Sequence, residues 1–372
     1  MRNRRHRLTD AERRAWLRLA RTENIGPATF AALLARFGDA GEALDAAPRL
    51  ARRGGGELRC PSDAEAAREI EALAALSGRM IACVEPEFPA GLTALDPPPP
   101  LIAVIGDAGV LARDMVAIVG ARNASALGIK LAQRISTDLG AAGLVIASGL
   151  ARGIDHAAHQ GALSSGTVAV VAGGVDVVYP PENRALYESI RAQGAIVSEM
   201  PLGAAPLSRH FPRRNRIISG LARGIVVIEA AERSGSLITA QYAAEQGREV
   251  FAVPGSPLDP RAKGANRLIR DGATLTESAD DVLTVLRPIL GQTFREPDER
   301  ASGPAPVDAA LAEQEADRVR NLVEEKLSPA PVEIDELIRQ CGAPAAAVLT
   351  ILLELELAGR IARHPGNRVS WR

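Results

Sequence analysis

Short apolar runs alternate with stretches of helical spacing through the middle of the sequence. The runs at 101–105, 116–119, 144–147, 168–172, 195–197, 225–228 and 250–253 are near-continuous and rich in β-branched residues, with a further short run at 274–275 assigned to a sheet edge. Runs with no polar face predict strands covered on both sides. The helical stretches between them predict right-handed crossovers. The expected fold class is α/β: an extended Rossmann-like, doubly wound, mostly parallel sheet.

The pattern changes on either side of this region. Asn24-Ile25-Gly26-Pro27 leads into Phe30, Leu33, Leu34 and Phe37 and stops at Gly38. A Gly-Pro turn that opens an amphipathic helix resembles a helix-hairpin-helix element, whose turn amides can hold a DNA phosphate; a plain helical bundle without ligand fits the same spacing and is preferred. Residues 62–76 predict a further helix with Ser62 as its N-cap, and the arginine-rich residues 1–21 predict a tail running into a first helix. Asp96-Pro97-Pro98-Pro99-Pro100 is a stiff connector near the first boundary. Residues 288–308 are rich in Pro, Gly, Asp and Glu without periodicity, which predicts a linker. Helical spacing at 310–326, 334–341 and 345–358, then two strands around His364-Pro365-Gly366-Asn367, predicts a winged helix. Glu354 and Glu356 on its last helix would oppose phosphates, which favours protein contact or weak DNA binding there. The expected division is 1–85 helical, 86–287 Rossmann-like, 288–308 linker and 309–372 winged helix.

Composition narrows the function. Hydrophobic residues make up 47% and aromatics 3%, so the cores are aliphatic. Cys60, Cys83 and Cys341 are far apart and odd in number, which suggests neither a disulfide framework nor a zinc site and fits a reducing, cytoplasmic setting. No run reaches the length of a membrane span. The net charge of −1 means that polyanion binding must come from a local patch.

Ligands of open α/β sheets bind beyond the carboxyl ends of the strands. There the sequence places Gly120-Ala121-Arg122 with Ser125, then Gly149 with Arg152 and Gly153, then Asn183, then Ser234-Gly235-Ser236, then Gly255. Glycines admit a close backbone or ligand, and free N–H groups at a helix start attract anions. The strongest basic feature is Arg209-His210-Phe211-Pro212-Arg213-Arg214-Asn215-Arg216, in a stretch with no acid between Glu199 and Glu229. Arginines hold phosphates and an aromatic face stacks on a base; Arg216 or Asn215 can instead brace the sheet edge. Asp155-His156-Ala157-Ala158-His159 places two histidines a helical turn apart, but no third ligand has sensible spacing, so capping and packing are preferred to a metal site. There is no G-x-x-x-x-G-K-[ST] loop and no G-x-S-x-G elbow. Ser234 and Ser236 have no base beside them in sequence.

The series Val119-Gly120-Ala121-Arg122, Ser148-Gly149-x-Ala151-Arg152-Gly153-Ile154-Asp155, Tyr179-Pro180-x-x-Asn183, His210-Phe211-Pro212-x-Arg214-Asn215-Arg216, Arg233-Ser234-Gly235-Ser236-Leu237-Ile238-Thr239-Ala240 and Phe251-Ala252-Val253-Pro254-Gly255 resembles the DprA/Smf family, over about residues 88–275. The flanks resemble that family's sterile-alpha-motif-like and winged-helix additions. The resemblance implies a non-enzymatic, cofactor-free homodimer that binds single-stranded DNA and loads the RecA recombinase onto incoming DNA during transformation. It implies phosphate contacts from Gly120, Ala121 and Arg122, with Arg214, Asn215 and Arg216 beside them. Pro181 or Glu182 stands where some relatives carry lysine, which moves weight to Arg213 and Arg214. The alternative is a nucleotide-processing enzyme of the lysine-decarboxylase-like Rossmann family; Ala172-Gly173-Gly174-Val175-Asp176 lacks that family's third glycine-threonine and its glutamate.

Overall fold

Each apolar run of the central region becomes a strand because it lies between two helical layers. The computed structural model describes residues 6–292, 313–364 and 366–372; the arginine tail through residue 5 and residues 293–308 of the expected linker lie outside the described residues. The chain divides into two compact units. One contains the described residues from Glu69 to 292, with residues 6–7; the other joins Leu8–Arg68 to the described residues beyond 312.

Four helices come first: α1 (Asp10–Arg21), α2 (Pro27–Phe37), α3 (Ala40–Arg53) and α4 (Asp63–Ala75). Strand β1 (Arg79–Ala82) and the short helix α5 (Ala90–Thr93) precede β2 (Leu101–Gly106) and β3 (Met115–Gly120). The alternation then runs α6 (Ala126–Ala141), β4 (Val145–Ser148), α7 (Ile154–Ala162), β5 (Thr167–Val170), α8 (Arg184–Gln193) and β6 (Ala195–Ser198). It continues with α9 (His210–Leu221), β7 (Gly224–Ile228), α10 (Gly235–Glu245), β8 (Glu249–Ala252), α11 (Lys263–Arg270), β9 (Thr274–Leu275) and α12 (Ala279–Leu286).

These strands form one sheet of order β1-β2-β6-β5-β4-β3-β7-β8-β9. All neighbours from β6 to β9 are parallel, and β1–β2 and β2–β6 are antiparallel. Direction of winding reverses between β3 and β7, which creates the crevice where such sheets bind ligands. Met115, Ala117 and Val119 pack on one face with Ile217, Ile218 and Leu221 of α9. Val116 and Ile118 pack on the other with Ala132, Ile135 and Leu139 of α6 and Ile154 and Ala158 of α7. β1 is a strand that the sequence pattern did not single out. It pairs with β2 from before the proline run, so Asp96–Pro100 lies inside this unit rather than at its edge.

His159, on the buried side of α7, is enclosed completely. Its Nδ1 lies 2.7 Å from the Thr167 hydroxyl, which itself donates to the Ile146 carbonyl at 2.8 Å. The ring proton is therefore assigned to Nδ1, leaving Nε2 buried and unpartnered. Burial pushes the pKa from 6.5 down to about 3. A depressed histidine adds stability in full above the unfolded value, and the contribution drains by about 1.4 kcal/mol per pH unit as pH falls toward the folded value. His159→Asn keeps a donor to Thr167. It is expected to flatten the stability slope between about pH 6 and about pH 4 in urea unfolding; identical slopes in the two proteins would refute the assignment.

The second unit carries α13 (Glu313–Lys326), β10 (Val332–Glu333), α14 (Ile334–Cys341), α15 (Ala345–Leu357), β11 (Ile361–His364) and β12 (Arg368–Trp371), a winged helix with sheet order β10-β12-β11. Gly26 precedes α2, Pro27 is its first residue and Gly38 closes it, so the Gly-Pro turn opens a helix as the spacing indicates. α3 packs against α15. A Cβ at Gly54 would lie 2.1 Å from the Glu354 carbonyl oxygen, and one at Gly56 2.6 Å from that of Ala358. Glu354 and Glu356 are buried, the first paired with Arg320 and the second with Arg363 at 3.2 Å. They present no charge to a phosphate, so the expectation built on repulsion is corrected: α15 is apolar on every side and draws its acids inside as ion pairs. Among the described residues no single helix is long and apolar enough to cross a membrane.

Candidate nucleic-acid interface

The crevice at the β3/β7 reversal is built from the loops that follow β3, β4 and β6. Gly120 ends β3 because nothing larger fits: a Cβ there would sit 1.9 Å from the Ile228 carbonyl oxygen and 2.6 Å from Ile154 Cγ1. Ala121 N–H donates to that same carbonyl at 3.4 Å, and the Ala121 carbonyl accepts from Ile154 N–H at 3.2 Å. Ser125 caps α6, its hydroxyl oxygen accepting from Gly128 N–H at 3.0 Å. Ser125 N–H donates to the Glu229 carboxylate at 2.8 Å, and its hydroxyl donates to the other carboxylate oxygen. The start of α6 was expected to await a phosphate. The protein's own carboxylate sits there on the Ser125 amide and hydroxyl, at the positive end of the helix dipole.

The loop after β4 is shaped around Arg214. Gly149 leaves room for that guanidinium; a Cβ would lie 1.6 Å from Arg214 Nη1. Arg214 is 8% exposed and its Nε has no partner. Burial pulls its pKa down to about 10, against the attraction of Asp155 and with the repulsion of Arg122. Asp155 is also buried and accepts from Gly149 N–H at 3.1 Å and Ala151 N–H at 3.3 Å. Burial pushes its carboxyl above the usual range, partly opposed by the Arg214 charge. Gly153, at φ +71, lets the loop pass the Ala121 carbonyl, which a Cβ would approach to 2.3 Å. Asn183 holds the loop from behind, donating to the Leu150 and Ala151 carbonyls at 2.9 and 3.2 Å. It is buried and serves the loop rather than the rim.

Phe211, in the first turn of α9, gathers the rim. Its ring lies 5.1 Å from Arg122 Cζ, 6.0 Å from Arg214 Cζ and 5.8 Å from the Tyr179 ring. Arg122, Arg213 and Tyr179 are exposed, and Phe211 is half-buried. An aromatic ring beside guanidiniums offers a stacking face and phosphate donors together.

Other candidates have different duties. Arg152 pairs with Glu182, and Arg216 with Glu199. Asn215 donates to the Gly235 carbonyl at 3.3 Å, tying α9 to the start of α10. Ser234 caps α10, its hydroxyl 2.6 Å from that of Ser236. Gly255 is clasped by Asn266 through bonds of 3.1 and 2.8 Å. His156 Nδ1 meets Asn183 Oδ1 at 2.8 Å, so the two histidines of α7 face different partners. Sequence reading missed Tyr179 and Glu229 as parts of the site. Tyr179 left a signal, as one of three tyrosines in an aromatic-poor chain, 44% exposed beside a proline pair.

Comparison with known proteins gives consistent matches. A family model described as DNA recombination-mediator protein A matches residues 79–287. Models described as a DprA-like N-terminal HHH domain and a DprA winged helix domain match residues 10–72 and 306–367. Protein Smf of Escherichia coli strain K12 is 40% identical over 288 residues, covering 77% of this chain and 75% of its own. DNA processing protein DprA of Streptococcus pneumoniae is 46% identical over 198 residues, covering 53% of this chain and 70% of its own. The X-ray structure of DNA processing protein A from Streptococcus pneumoniae aligns with a TM-score of 0.63 at 32% identity, over 75% of this chain and 98% of that one. A structure of DNA processing protein A from Helicobacter pylori, solved for its single-stranded DNA binding mode, aligns with a TM-score of 0.53 at 25% identity, over 57% and 97%.

Proposed function

Because the chain belongs to the DprA/Smf family of DNA-processing recombination mediators, we propose that the rim at the β3/β7 reversal grips single-stranded DNA without sequence preference. The observation that carries this is the exposed Arg122 guanidinium 5.1 Å from the Phe211 ring, with Arg213 exposed on the same helix start. A base stacks on the ring while the guanidiniums take the flanking phosphates. The activity is binding, with no bond made or broken. In this reading the strand is incoming DNA in transformation, held by a homodimer and passed to RecA. Against a nucleotide-processing enzyme at the same crevice stands Glu229, whose carboxylate puts a negative charge on the Ser125 amide at the start of α6.

Arg122→Ala is expected to weaken binding of any unstructured oligonucleotide about tenfold. The slope of log affinity against log salt should fall by about 0.7, the share of one phosphate contact on a single strand. Fluorescence anisotropy over a salt series measures both, and unchanged affinity removes Arg122 from the site.

A further inference from the structure

We infer that Glu229 is a positioning residue for single-stranded DNA binding, the acid that clips the Arg122 loop in its working place. The inference rests on the rim being the DNA site. The loop leaves β3 at Gly120, which pairs with Ile228 at the end of β7, and Ala121 N–H bonds the Ile228 carbonyl. It enters α6 at Ser125, whose N–H and hydroxyl both go to the carboxylate of Glu229. Ile228, the last residue of β7, and Glu229, which follows it, therefore pin both ends of a short loop, and Arg122 lies between the pins.

The seat for this carboxylate is purpose-shaped. Gly128, in the first turn of α6, has no side chain where a Cβ would sit 2.7 Å from the Glu229 carboxyl carbon. A glycine inside a helix costs stability unless something needs the space. Glu229 itself holds φ +52, a left-handed backbone that non-glycine residues rarely adopt. An acid beside a phosphate-binding rim is paradoxical by charge alone, since its removal should strengthen attraction for a polyanion. If the carboxylate holds Arg122 against Phe211, its removal weakens binding instead. The sign of the effect separates the two accounts.

The test uses Glu229→Gln, Glu229→Gly and Arg122→Ala, singly and combined, with oligo(dT) anisotropy across a salt series and a thermal midpoint for each protein. Glycine accepts the left-handed backbone, so Glu229→Gly remains informative if Glu229→Gln folds poorly. Both single variants are expected to bind about fivefold to tenfold more weakly. In the Arg122→Ala background each should change affinity less than about twofold, because the clip has nothing left to position. Unchanged or tighter binding in a folded Glu229 variant overturns the inference, as do losses that add fully to that of Arg122→Ala. Unchanged affinity in Arg122→Ala alone overturns the reading of the rim itself.

Discussion

Arg214→Ala is expected to destabilise the protein by about 1.5–4 kcal/mol at neutral pH, since the charge of Arg214 favours the ionised form of the buried Asp155 and an opposite charge nearby moves a carboxyl pKa by about 1–3 units. Asp155 is the charge left behind, with its carboxyl already pushed up by burial and opposed by Arg214. A raised carboxyl favours the neutral form in the fold; its contribution is present below the unfolded pKa and lost as pH rises through the folded value. Removing Arg214 raises that folded value further. The gap between variant and native protein should therefore be widest at neutral pH and close on acidification. Urea unfolding of both proteins along a pH series measures it. A gap that is small and flat with pH would show that Asp155 relies on the Gly149 and Ala151 amides alone.

Phe211→Ala is expected to reduce single-stranded DNA affinity between about fivefold and about a hundredfold, the range for losing one base stack. The ring is half-buried at the start of a helix, so stability should change little beside the loss of binding. Stacking is not ionic, so the salt slope should stay where it is while affinity drops, unlike in Arg122→Ala. Phe211→Trp should retain most of the affinity. If alanine binds as well as phenylalanine at every salt concentration, the ring belongs to the fold and not to the site.

Much of this architecture was legible because both faces of the sheet are covered. That burial turns strands such as 116–119 and 225–228 into uninterrupted apolar runs. β1 escaped notice since its four residues follow directly on a helical region and pair antiparallel across the prolines. The glycines at the strand ends pointed to the crevice, but the duties of the arginines did not follow from sequence. An arginine is free or spent according to which acid folds back to it. The acid-free stretch that drew attention is bounded by Glu199 and Glu229, and both return: Glu199 takes Arg216, and Glu229 reaches Ser125 across 104 positions. Local reading registers the gap between two acids and not where they land. Glu354 and Glu356 show the same limit, since acids on an exposed helix and acids sealed under arginines look alike along a sequence.

The seam between α3 and α15 bears on which surfaces the second unit leaves open. In a winged helix the third helix is the element shaped to enter a major groove. Here its C-terminal end is covered by a segment drawn from the other end of the same sequence, with Gly54 and Gly56 pared down so the two backbones touch, while Leu349 nearer its start stays exposed. The face of α15 at that end is closed to any other partner while α3 is docked, and a version of this module lacking that segment would display a surface that the intact protein hides.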